Sequence, residues 1–129
     1  MAVLGTGIDI VDVDHFREVI ARRGERFVDR VFTPSERAYC DGRPNPCMHY
    51  AGRFAVKEAV LKAIRTGWIK GISWHDVEVT IGPLGEPSVC LSGGAARRAE
   101  EMCIRVMHVS ISHTEHYAVA TAVADGEAA

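Results

Sequence analysis

The chain has 129 residues, 47% of them apolar and 25% charged, with a formal net charge of −2. That length suits one domain over residues 1–129 with a single core, and the apolar-to-charged balance excludes a disordered chain. Aromatics make up only 7%, and with a slightly negative charge and no basic, aromatic-studded strand the composition argues against a nucleic-acid partner. No apolar run approaches the roughly 20 residues that span a bilayer, and Met1 to Gly5 carry no basic leader, so a cytoplasmic protein without membrane contact is expected. Cys40, Cys47, Cys90 and Cys103 contain no C-x-x-C pair and read as buried small apolar residues kept reduced. A zinc site from Cys40, Cys47 and His49 matches no common ligand spacing and is set aside.

In chain order, Val3 to Val11 predict a strand emerging from Gly5-Thr6-Gly7, with Asp9 pointing away from the Ile8/Ile10 face. A helix should follow, capped by Asp14, carrying Phe16, Val19, Ile20, Phe27, Val28 and Val31 at helical spacing and interrupted by Gly24. Thr33-Pro34-Ser35-Glu36 has the form of a capping box with proline at the first helical position. Two prolines and a glycine make 41–46 a loop. The principal helix is expected from about Cys47 to Arg65, ended by Gly67. Beyond it, residues 76–81 and Pro87 to Leu91 form a hairpin, Gly94 to Met102 a helix, and Val106 to Ser112 and Tyr117 to Ala124 two more strands about a Thr114-Glu115 turn. This order predicts an α+β domain: a mainly antiparallel sheet packed on one long helix, with shorter helices.

Three groups of residues could carry chemistry. Asp9 sits between isoleucines, where a carboxylate either caps a turn or needs a partner or a metal ion. The principal helix sets Glu58 among Arg53, Lys57, Lys62 and Arg65. An i, i+4 pair of Glu58 with Lys62 accounts for two of these, whereas the concentration of cations is what a diphosphate would need. Ser112, His113 and Thr114 end a strand with a hydroxyl, an imidazole and a second hydroxyl. Separately, Arg17, Arg22, Arg23, Arg26 and Arg30 crowd one early segment, which either faces an acidic partner or is simply solvated.

Taken together, Gly7-Ile8-Asp9-Ile10, Gly52-Arg53-Phe54-Ala55-x-Lys57-Glu58-Ala59-x-x-Lys62-Ala63 with Thr66-Gly67, and Val109-Ser110-Ile111-Ser112-His113 resemble the holo-acyl-carrier-protein synthase family of phosphopantetheinyl transferases. The Gly85-x-Pro87 hairpin and the Leu91-Ser92-Gly93 step extend the resemblance from the first strand to about Val123. Leu61 stands where relatives often carry serine. The resemblance implies transfer of the pantetheine arm of coenzyme A to a serine of an acidic apo acyl carrier protein, with Mg²⁺ held by Asp9 and Glu58. It further implies that Lys62 neutralises the diphosphate, that Arg53 contacts phosphate or nucleotide, that Gly67, Ser112, His113 and Thr114 line the coenzyme site, and that His113 joins Asp9, Glu58 and Lys62 as a catalytic residue, either beside the nucleotide phosphates or in proton transfer. Arg17, Arg22 and Arg26 would dock the carrier, and the short members of the family imply a homotrimer with clefts between subunits. A non-catalytic module that grips acidic carriers is the alternative.

Overall fold

The computed structural model describes residues 1–67 and 71–127. The chain runs through strand β1 (Ala2–Asp12), helices α1 (Val13–Val31), α2 (Pro34–Asp41) and α3 (Pro46–Ala63), and a 3₁₀ turn (Trp74–Asp76). It continues through β2 (Val77–Ile81), β3 (Pro87–Leu91), α4 (Gly93–Glu101), β4 (Ile104–His113) and β5 (Tyr117–Gly126). β1, β5 and β4 form an antiparallel sheet in that order, while β2 and β3 form a separate hairpin. This is the expected α+β architecture.

Small residues bring α3 onto the sheet. Ala51, Ala55, Ala59 and Ala63 recur every four residues and are all fully buried, as are Ala118 and Ala124 of β5. On β1 the facing positions are glycines: a Cβ on Gly5 would lie 2.0 Å from the Ala63 carbonyl oxygen, and one on Gly7 would lie 1.9 Å from that of Ala59. Two strand residues rise about 6.6 Å and four helical residues about 6 Å, so strand and helix keep step as they run in opposite directions. The same step carries Asp9 to the level of the α3 turn that begins at Ala55.

The burial of β1 inverts the usual pattern. Its glycines and Asp9 face α3, whereas Ile8 and Ile10 are 60% and 63% exposed on the other side of the sheet. Ile8 lies opposite Thr121 and Ile10 opposite Val119, so the apolar strip continues onto β5.

Most predicted boundaries hold to within two residues, and three local details differ. The α1 cap is Asp12, whose carboxylate accepts from the His15 amide at 3.0 Å, while Asp14 lies in the first turn. Gly24 interrupts the helix as expected, at φ 72. α2 has the full Thr33–Glu36 capping box with Pro34 at its start. α3 ends before Gly67: Arg65 takes the left-handed conformation at φ 58, and the Thr66 amide reaches back to the Leu61 carbonyl at 3.1 Å. That six-to-one bond closes the helix in the manner usually built on glycine. Residues 74–76 form the 3₁₀ turn, so the hairpin strand begins at Val77.

Candidate active site

Two lysines on α3 meet very different surroundings. Lys57 is fully buried, 3.0 Å from an equally buried Glu36. Glu36 in turn accepts the Thr33 amide at 2.8 Å and the Val79 amide at 2.7 Å, and Lys57 donates to the carbonyls of Trp74 and Val77. Every strong polar position of the pair is thus used inside the protein. The expectation that Lys57 belongs to the cation cluster facing a ligand is corrected: it binds α2, α3 and β2 together. Burial lowers the Lys57 pKa, and Glu36 opposes that shift. On a helical wheel at about 100° per residue Lys57 falls some 20° from Ile64, and Arg53 some 20° from Val60, so both belong to the apolar side.

Lys62 takes the other course. Its ammonium donates to the Ile8 carbonyl at 2.7 Å and to Asp9 Oδ1 at 3.3 Å. Its side chain is 53% exposed and that of Asp9 is 19% exposed. Lys62 also borders an open cavity of about 410 Å³ with Thr6 and Thr121. Glu58 stands one helical turn before Lys62, half-buried on the same wall. The structure therefore brings Asp9, Lys62 and the Glu58 turn to one edge of α3. Among the described residues no three or more His, Cys, Asp or Glu side chains converge as a metal cluster. The two carboxylates of this edge are the number that Mg²⁺ commonly takes from protein, leaving its other positions to water and phosphate.

The N-terminal half of α3 carries a basic and aromatic group. Arg53 is 4% exposed, lies 4.3 Å over the Tyr39 ring, and donates to the His49 carbonyl at 3.4 Å. Its buried Nη2 has no partner among the described residues. Arg43 covers Tyr39 as well, at 4.4 Å. With Ser35, Thr80 and Gly82 these three residues line a cavity of about 310 Å³ suited to an anion. His49 packs edge-on against Tyr39 and against His113, at ring separations of 6.0 and 5.8 Å. Burial pushes the His49 imidazole below its ordinary range, with further contributions from Arg53, His113 and Arg43.

The remaining expected residues scatter. Asp9 and His113 share one face of the sheet, but β5 lies between their strands, and Ala118, the partner of His113, faces Val11 rather than Asp9. At about 4.8 Å per strand and 3.3 Å per residue they stand roughly 12 Å apart. Ser112, the neighbour of His113, projects to the opposite face, beside Val119. The amides of His116 and Tyr117 donate to the Thr114 hydroxyl, closing the β4–β5 turn. Gly67 lies beyond the helix end at φ 108. Leu61 is buried at 1% exposure. On α1, Arg17 is held by Asp14 at 3.1 Å and by Asn45 at 3.2 Å, whereas Arg22 and Arg26 are exposed. A groove of about 680 Å³ there is lined by Arg23, Arg26, Phe27, Asp29 and Arg30, three cations to one carboxylate. Cys40 is fully buried and its thiol is pushed up to about 12, as an inert core residue would be, but the expectation of burial is corrected for the others: Cys47 and Cys103 are half-buried and Cys90, on β3, is exposed.

A family model described as the 4'-phosphopantetheinyl transferase superfamily matches residues 5–122. The chain belongs to that superfamily. Within it, the chain is 47% identical over 121 residues to the holo-[acyl-carrier-protein] synthase of Koribacter versatilis, a match covering 94% of this chain and 97% of that protein. It is 48% identical over 124 residues to the synthase of Desulforudis audaxviator, covering 96% and 94%. Among solved structures, the Helicobacter pylori holo-[acyl-carrier-protein] synthase in complex with coenzyme A superposes with a TM-score of 0.82 at 31% identity, covering 93% of this chain and 99% of that one. The Neisseria meningitidis synthase gives 0.87 at 30% identity, covering 96% and 99%. For a phosphopantetheinyl transferase the open Asp9–Lys62 edge and the arginine cavity lie along one helix. Sequence reasoning passed over Tyr39 and Arg43 and weighed His49 only as a zinc ligand, because their significance comes from stacking across elements.

Proposed function

We propose that this protein is a holo-acyl-carrier-protein synthase that transfers 4'-phosphopantetheine from coenzyme A to a serine of an apo acyl carrier protein. The serine oxygen forms a bond to the β-phosphorus of coenzyme A while the bridge to 3',5'-ADP breaks. The observation that carries the reading is the half-open Asp9–Lys62 contact across β1 and α3 in a chain related over nearly its full length to such synthases. Asp9 and Glu58 would hold Mg²⁺, which when bound neutralises charge on the diphosphate oxygens. Lys62, free on its solvent side, neutralises the diphosphate, and Arg53 with its unpartnered Nη2 takes up phosphate. Gly67, Ser112, His113 and Thr114 complete the coenzyme contacts, and Glu58 is also a candidate acceptor of the serine proton.

Assembly belongs to the same proposal. Val3, Ile8, Ile10 and Val106 are exposed on the face of the sheet turned away from α3, and an apolar strip of this kind supports burial against further copies in a homotrimer. Ser112 lies on that face, which suits a site completed between subunits. Arg17, Arg22 and Arg26 dock the acidic carrier, with the groove at Arg23 and Arg30 continuing the same basic surface. The cytoplasm is the proposed compartment, in keeping with four free cysteines, and no helix among the described residues is long and apolar enough to cross a membrane.

The test is incubation of an apo carrier with coenzyme A and Mg²⁺, followed by mass spectrometry. The carrier should gain the mass of one phosphopantetheine arm, and chelation of the metal should abolish the gain. Carrier binding without any gain in mass would favour the non-catalytic module instead.

A further inference from the structure

His113 ends β4 exposed, and among the described residues its imidazole makes no hydrogen bond or ion pair; its ring contact is with His49, 5.8 Å away at 73°. A strand-end imidazole left to itself explores several rotamers, and holding it in one costs entropy unless something packs against it. His49 supplies that packing from the first turns of α3. It is itself held: its ring meets Tyr39 edge-on at 78°, Tyr39 lies between the Arg43 and Arg53 guanidinium groups, and Arg53 donates to the His49 carbonyl. The contacts make one continuous stack from the arginine cavity to the end of β4.

We propose that His49 is a positioning residue for the transfer reaction, wedged between Tyr39 and His113 so that the His113 imidazole is presented beside the arginine cavity. This rests on the reading that His113 contacts coenzyme A. The groups facing His49 are Tyr39 from α2, Arg43 from the following loop, Arg53 from its own helix and His113 from β4. With its pKa lowered by burial among these groups, His49 is a neutral ring at neutral pH, and the role asks of it shape rather than charge. A phenylalanine should therefore perform it and an alanine should not.

The experiment is steady-state kinetics on Asp9-intact enzyme carrying H49A, H49F, H113A or H49A/H113A, with coenzyme A and carrier varied separately at neutral pH. H49A should lower kcat/KM for coenzyme A about three- to tenfold, the scale of one lost aromatic contact, and leave the KM for the carrier unchanged. H49F should restore the rate to within about twofold. In the H113A background H49A should cost nothing further, because nothing remains to be positioned. An equal loss from H49A with and without His113 would mark a general packing defect and overturn the proposal, as would H49F failing as badly as H49A. Should H113A alone leave the coenzyme A kinetics unchanged, the reading of His113 itself fails and the proposal falls with it. A large H113A effect with a silent H49A overturns the proposal alone.

Discussion

Lys57–Glu36 and Lys62–Asp9 are two lysine–carboxylate pairs on one helix, with charged atoms 3.0 and 3.3 Å apart, yet they do opposite work. The first is sealed and saturated: two carboxylate oxygens accept backbone amides, the ammonium donates to backbone carbonyls, and neither side chain reaches solvent. The second keeps unused donors and acceptors facing open space. Solvation and satisfaction, not distance, separate a pair that holds elements together from one able to receive a charged ligand.

Breaking the sealed pair should be the costlier act. Lys57→Met strands a buried carboxylate and is expected to lose about 3–5 kcal/mol of folding stability in urea titration. Adding Glu36→Gln, which removes the stranded charge and keeps an acceptor for one of the two amides of Thr33 and Val79, should recover part of that loss. Lys62→Met should behave in reverse: stability within about 1 kcal/mol of wild type, as for an exposed pair, but kcat/KM for coenzyme A down by about a hundredfold or more.

The close approach of β1 to α3 sets where Asp9 meets Lys62, so Gly7→Ala should disturb the open pair and leave the sealed one in place. Its methyl would press on the Ala59 carbonyl. Overpacking of this kind should cost about 1–3 kcal/mol by denaturant melting, and it should depress transfer by shifting the strand against the helix. The smallest effect is expected at a third, fully surface pair. The Asp14 carboxylate, 2.9 Å from His116, raises that imidazole above its ordinary 6.5, and His116 lowers Asp14 in return. The folded state then holds the proton more tightly than the unfolded chain, so this contribution is complete below 6.5 and is lost as pH rises through the folded value. The difference in thermal midpoint between wild type and His116→Gln should shrink from about pH 6 to about pH 8.

Much of this was legible in the sequence where local chemistry decides it. The Thr33–Glu36 capping box, the Gly24 break and the β2–β3 hairpin follow from residues only a few positions apart, and each stands where expected. The Asp14 cap failed because Asp12 offers the same carboxylate one strand-end earlier. Gly67 failed as the terminator because the left-handed position fell on Arg65, two residues sooner. Lys57 failed for a deeper reason: its partner Glu36 lies on another helix, so counting it among the cations around Glu58 missed the contact that buries it. The wheel carried the warning, since Lys57 and Arg53 both stand within the apolar arc. Ile8 and Ile10 show the converse, an apolar face left open because glycines on the other face give α3 its seat.

If the open edge at Asp9, Glu58 and Lys62 carries the transfer and the sealed pair only supports it, loss of either edge carboxylate must stop the reaction without loosening the fold. The deciding measurement is turnover with coenzyme A, Mg²⁺ and apo carrier alongside thermal melting for Asp9→Asn and Glu58→Gln. Both variants should melt as the wild type does, with turnover reduced at least about a hundredfold. Wild-type turnover by either folded variant would contradict that role of the edge.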